Sequence, residues 1–514
     1  METNVIWGMG VYILSAWTPK VCYKRVLIYL IIASFIFMGF SEADGIVNGD
    51  TIPIIISSND VIFNDVKITG DIILTNMTIR NKLVIENSEI NGSIVFDGSQ
   101  FMKQVSFSDT TILGQSSFIS STFNHVAKFK QTNFIGRANY KKAAFMQGEF
   151  DRAVFYEDAI FKYCTFINEP TFTYASFNKD ALFTSSAFNG GDFNHGSFYK
   201  NVFFNDATFQ DKAYFNYAIM SNIADFSNAK FSNMMSLNDS RFMGYADFYN
   251  TTFAGDAYFS DLKASNEVDF SKSNFSKMAD FHDARFSGYA NFKNASFRNL
   301  FLSGALFNQF YLPWKNVKGK LDCDEYLYLR MISTYKDLGL FDDADDCYYY
   351  FKHNYLQSYQ FSNFIEPILG ELYGWGVKPI NTIKWSLIFI LVFGLFFWFP
   401  YILTDTNLVK GRPDLSITKP SECSPNSTVQ SIGKDSTDLH AASFSCVVSS
   451  IFLSLILSLI FSARIFASAL TSTIEGPSLK DSGSNIAKLE KLLAHIMAFL
   501  FLIAISKTIL REII

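Results

Sequence analysis

The chain has 514 residues, among them 56 Phe and 25 Tyr; 49% are hydrophobic, 18% are charged, and the formal net charge is −5. This aromatic content excludes a disordered chain, and only 6 Cys in this length exclude a disulfide-dense secreted miniprotein. The acidic balance lacks the clustered Lys and Arg of a nucleic-acid binder, so no nucleic-acid partner is expected.

Residues 1–44 read as an export or anchoring segment. Lys20, Lys24 and Arg25 precede an uncharged run at 26–40, and Ser41-Glu42-Ala43-Asp44 then turns polar. Basic residues before a short apolar run describe a signal peptide or an N-terminal membrane anchor. A second apolar stretch at 6–17 also fits a translation start downstream of Met1. In every case the positive flank places the repeat region outside the cytoplasm. Seven Asn-x-Ser/Thr sequons agree with that side: Asn76, Asn91, Asn238, Asn250, Asn274, Asn294 and Asn426. In a repeat rich in Asn and Ser, most of them are expected by chance.

Residues 45–312 carry a ladder. Between Phe118 and Phe297 an apolar residue, large at all but Ala264, recurs at 34 positions, 30 of them Phe, in 19 steps of five and 14 steps of six. Phe123, Phe129, Phe134, Phe248, Phe253, Phe259, Phe281, Phe286, Phe292 and Phe297 are representative rungs. A helix cannot hold this spacing on one face, because each step would rotate the side chain around the cylinder. Short strands separated by corners can, if every strand points one large residue inward. Two residues before the rung, 29 of the 34 positions hold Ala, Gly, Ser, Thr or Cys. In an extended segment both positions face the core. Ile68, Ile73, Ile79, Val84, Ile90 and Val95 continue the rhythm backward in aliphatic form. The rungs are therefore expected to form a core, not a binding site.

Units such as Ala246-Asp247-Phe248, Ala279-Asp280-Phe281 and Ala290-Asn291-Phe292 resemble those of pentapeptide-repeat proteins. The resemblance implies a mainly β solenoid, a right-handed quadrilateral β-helix with four short faces per coil. The extra residue in every second step predicts coils of about 22 residues with one bulged corner type. About 12 such coils at strand spacing would make a rod roughly 55 Å long, with both ends in need of caps.

Residues 313–378 are expected to form an all-α cap and spacer. Tyr326, Leu329, Ile332 and Tyr335 share one face of a helix ending at Gly339, and a second helix starts near Asp342 or Asp343. The stretch 326–351 resembles a helical hairpin that comes after the repeats in archaeal membrane pentapeptide proteins. Cys323 and Cys347 bracket the first helix and are a candidate disulfide. The Asp342, Asp343, Asp345 and Asp346 run reads as a solvated first turn, so no metal or cofactor is assigned.

Residues 379–514 read as a transmembrane helical domain, with spans near 383–403, 442–470 and 490–510. Trp385, Trp398 and Tyr401 sit near the ends of the first, as interfacial anchors do. Tyr373-Gly374-Trp375-Gly376-Val377-Lys378-Pro379 resembles the lead-in to an ion-channel-like pore module found on pentapeptide-repeat membrane proteins. The family's potassium filter needs a carbonyl-lined loop. The equivalent stretch here contains Thr471, Thr473 and Glu475 without that signature. Segment 442–470 is either a full span or a re-entrant pore helix. Arg464 either snorkels to the interface or lines a pore or oligomer contact. His495 and Lys507 are further candidates at the pore or membrane interface.

No HExxH, Walker A, GxSxG or GxGxxG pattern marks an enzyme. The expected protein is multi-pass in the cell membrane with its solenoid outside, a rigid surface scaffold or interaction rod. Membrane lipid, a protein partner on the solenoid and a homo-oligomer through the transmembrane domain are the expected partners. The alternative is a channel-like protein that uses the solenoid as sensor or vestibule.

Overall fold

The computed structural model describes residues 45–356, 365–403, 452–453, 455–469 and 481–513. They divide into two units, one ending at Leu327 and one starting at Tyr328. The first is a β-solenoid of about 13 turns. Its strands form two parallel sheets of 23 and 19 strands. Each strand lies over its counterpart 21 or 22 residues away: Thr111 faces Asn133, and Asn133 faces Val154. The coil is thus the expected long one, with four rungs.

The two step lengths make two kinds of corner. At most five-residue steps the chain turns sharply, whereas Phe145–Phe150 runs through strand Ala144–Glu149 as an open bend. Ser121 N–H donates to the Phe118 carbonyl at 3.1 Å, and Ser120 between them has φ 56°. A closing i to i+3 bond with positive φ at the third residue is the signature of a type II turn. The same conformation recurs at Gln131, Lys142, Arg152, Tyr163 and onward to Asn294. At a six-residue step the strand only bends. Asn274–Asp280 and Arg285–Asn291 each run through such a corner unbroken. Where a six-residue corner faces a five-residue one, as between Phe123 and Val126, the register slips. The extra residue therefore sits in the open bend, and each sheet is a pair of faces joined across it.

The rungs stack into four columns. Phe118 on Tyr140 (4.6 Å, 1°), Phe123 on Phe145 (4.8 Å, 8°), Phe129 on Phe150 (5.0 Å, 10°) and Phe134 on Phe155 (4.8 Å, 1°) show one layer of each. Two columns also meet edge to face across the core, as in Phe118 with Phe129 at 5.6 Å and 75°. Such ring pairs add about 0.5–1.5 kcal/mol each beyond burial. The small residues two before each rung are buried with it, and their size is complementary. Where the rung shrinks to Leu237 or Ala264, the partner grows to Met235 or Leu262. Where the small residue is Ser or Thr, its hydroxyl in most cases bonds a rung carbonyl one coil back: Ser121 to Phe96 at 2.7 Å, Thr132 to Phe107 at 2.7 Å, Thr251 to Phe226 at 2.8 Å, with Ser116 an exception.

One rung breaks the apolar rule. Tyr140 is fully buried and its hydroxyl has no partner among the described residues. Leaving a buried hydroxyl unbonded costs about 1–3 kcal/mol. Tyr140→Phe is therefore expected to stabilise the solenoid by about 1 kcal/mol or more, read as a higher denaturant midpoint at unchanged m-value.

The ends are closed by short helices. Ile52–Ile56 buries Ile52 and Ile56 at the start, and Trp314–Val317 buries Trp314 and Val317 at the finish. One more strand, Leu321–Asp322, pairs with Leu300 and Phe301 beyond the expected solenoid end.

Helix Glu325–Asp337 comes next, with Asp324 accepting the Leu327 N–H at 2.9 Å, and Gly339 at φ 71° ends its run. The second unit contains helices Phe341–Leu356, Ile365–Tyr373, Pro379–Leu403, Leu455–Ala469 and Asp481–Ile513. The Asp-rich turn is partly committed to an ion pair, Asp346 with Lys378 at 2.8 Å. Two helices are long and apolar enough to cross a membrane, through Pro379–Trp398 and Asn485–Ser506, each with mean hydropathy 1.9. Leu455–Ala469 is apolar and shorter.

Candidate interaction surface

In-register stacking does to the outer residues what it does to the rungs: it sorts them into columns. The first column runs along one sharp corner. Arg152, Tyr174, His195 and Tyr217 all occupy the left-handed position, at φ 56°, 57°, 59° and 59°. A Tyr there is unusual, because the Cβ crowds the next carbonyl. Stacking provides the offset. Tyr174 lies on His195 at 4.4 Å and 2°, and His195 on Tyr217 at 4.8 Å and 5°. The Arg152 guanidinium covers the outer Tyr174 face at 5.7 Å. The Asp239 carboxylate comes after Tyr217 and raises its phenol above the usual range. Tyr174 and Tyr217 remain 54% and 52% exposed.

Toward the end of the rod the columns become charged stripes. Asp239, Asp261 and Asp283 continue the same corner. On the adjoining face Arg241, Lys263 and Arg285 stand in register and exposed. Past the next bend Asp225, Asp247 and Asp269 form a third, half-buried column, also in register. The surface thus reads negative, positive, negative around the rod. Each Asp of the third column accepts the backbone N–H two residues on: Ser227 at 2.9 Å, Tyr249 at 2.8 Å and Ser271 at 2.8 Å.

Stacked carboxylates repel. Burial and then the neighbouring Asp225 and Asp269 charges push Asp247 above its usual 3.8, against the pull of the Tyr249 N–H. A carboxyl whose folded pKa is raised binds its proton more tightly in the fold. Its contribution is present below 3.8 and is lost as pH rises through the folded value. Asp247→Asn is therefore expected to raise the melting temperature at pH 7, with the gain vanishing in melts run below pH 3.8.

The family comparison agrees with this geometry. Residues 215–262 match the family model described as Pentapeptide repeats (9 copies). The matched stretch is made of pentapeptide repeats and lies within the β-solenoid. No curated protein and no solved structure matches the chain.

The ladder positions Phe123, Phe129, Phe134, Phe248, Phe253, Phe259, Phe281, Phe286, Phe292 and Phe297 of the solenoid core are all buried. Asn76, Asn91, Asn250, Asn274 and Asn294 are exposed, whereas Asn238 is half-buried and accepts the Ser260 N–H at 3.0 Å. Cys323 lies in the first unit and Cys347, buried, in the second. Arg464 is exposed on Leu455–Ala469, and His495 is exposed on Asp481–Ile513 with Nδ1 2.7 Å from the Lys491 carbonyl oxygen. Lys507 falls on the same helix. Thr471, Thr473, Glu475 and Asn426, and the segment 1–44, lie outside the described residues. No group of three potential metal ligands occurs among the described residues. Sequence reasoning missed the corner column. Reading the position two after every fourth rung would have found it, since Arg152, Tyr174, His195 and Tyr217 succeed one another there.

Proposed function

We propose that this protein is a membrane-held scaffold whose extracytoplasmic pentapeptide-repeat rod presents ordered side-chain columns to a protein partner, and that it is not an enzyme. The observation that carries the reading is the registered set of stripes, Asp239/Asp261/Asp283 beside Arg241/Lys263/Arg285, on a backbone whose core is filled by rungs. Fixed columns of opposite charge give orientation and partner choice more than raw affinity. The helices through Pro379–Trp398 and Asn485–Ser506 support anchoring in lipid. Protease treatment of intact cells, and then alkaline extraction of membranes, tests the reading. The solenoid should be shaved from outside and a fragment holding the apolar helices should stay in the pellet. A protected solenoid, or a chain released by alkali, would overturn it.

A further inference from the structure

Three helices of the second unit meet around a polar group that the scaffold reading does not use. Glu490 on Asp481–Ile513 and Ser462 on Leu455–Ala469 are both 0% exposed. The Ser462 hydroxyl lies 2.9 Å from the Ile390 carbonyl oxygen of helix Pro379–Leu403 and also bonds Glu490 Oε1. Glu490 Oε2 has no partner among the described residues. The neighbourhood is apolar. One turn along, Ala494, Met497 and Phe466 are buried in a cluster lined by Trp385, Phe389 and Ile390. The helices also approach tightly here, since a Cβ on Gly394 would stand 2.6 Å from the Leu459 side chain.

Counting hydrogens decides the charge state. Ser462 has one hydroxyl hydrogen for two oxygen neighbours. If Glu490 were ionised, one of those two contacts would be oxygen against oxygen, and a buried charge would lack a counter-ion among the described residues. The other charged or titratable side chains described on these helices, Lys384, Arg464, Lys488, Lys491 and His495, are all exposed, and none forms an ion pair with Glu490. Helix Ile365–Tyr373 adds Glu371, exposed, and Tyr373, packed against the cluster. An isolated charge in such a place costs several kcal/mol. One added proton repairs both faults: the carboxylic acid donates to Ser462 Oγ, and Ser462 donates to the Ile390 carbonyl.

We propose that Glu490, Ser462 and the Ile390 carbonyl form a proton-binding site that ties the three helices together. A buried ionisable group in an apolar helical unit is a functional position by default. This one would make the packing of three helices respond to proton activity. The inference rests on the helical unit alone and is independent of which side of a membrane the rod occupies.

Infrared spectroscopy of the full chain in detergent at neutral pH tests it. The wild type should show a carboxylic-acid carbonyl band that is lost in Glu490→Gln and moves to higher frequency in Ser462→Ala, where its hydrogen bond is gone. Superimposable wild-type and Glu490→Gln spectra would overturn the proposal. So would a melting temperature that rises with sodium chloride but not choline chloride in the wild type and loses that response in Glu490→Gln, because an alkali cation would then hold the charge. Should Glu490→Gln fail to fold, the Ser462→Ala shift decides, and an unmoved spectrum sinks the idea.

Discussion

Phe204→Ala is expected to destabilise the solenoid by about 3–5 kcal/mol, while Phe203→Ala, one residue away, costs about 1 kcal/mol or less. The two rings point in opposite directions. Phe204 is fully buried between Phe183 at 4.7 Å and Phe226 at 5.2 Å, with Phe193 and Phe215 edge-on at 5.2 and 5.3 Å. Phe203 stands half-exposed between Leu182 and Asp225 on the outside of the sheet. Removing Phe204 opens a gap in a column that neighbouring backbone cannot close, because each coil is held to the next by a full set of strand bonds. In a one-dimensional stack the damage is local. Hydrogen exchange should therefore rise in the coils around Phe183–Phe226 and stay low near Phe101 and Phe286. A uniform rise along the rod would contradict the nearest-neighbour picture.

Ala207→Leu should cost about 1–3 kcal/mol through overpacking. Ala207 is fully buried, its N–H closes the turn from the Phe204 carbonyl at 3.0 Å, and Phe209 comes two residues later on the same inner face. The rod has already solved the same problem elsewhere. Leu262 occupies the matching position after a sharp turn, and there the rung has shrunk to Ala264. The double substitution Ala207→Leu with Phe209→Ala should therefore recover part of the loss, which a chemical-denaturation cycle would measure as coupling. Strictly additive losses would show that the two inward positions do not share one volume.

Much of the first unit was legible because a solenoid repeats a local rule. The five- and six-residue steps named the rungs, and the small residues two before them named their packing partners. What escaped was what depends on the neighbouring coil. No single repeat shows which steps are sharp turns and which are open bends, since the five-residue step Phe145–Phe150 is bent like the six-residue ones. Nor does it show that Arg241, Lys263 and Arg285, each 22 residues apart, form one stripe. In the helical unit the failure was of another kind. Glu490 and Ser462 fall within the expected spans 490–510 and 442–470, and neither segment by itself shows that the two side chains meet.

The Phe-rich composition and its spacing were enough to determine a stacked core, since burial of large rings at a fixed period has few other solutions. Tertiary structure decided everything that requires two distant segments to meet: the four ring columns, the rings stacked at strained corners, the charged stripes and the Glu490–Ser462–Ile390 contact. The physical reason is that periodicity reports which way a side chain points along its own strand or helix. Only the packing of one coil or helix on another determines what stands opposite it, and hence whether a charge is solvated, paired or in need of a proton.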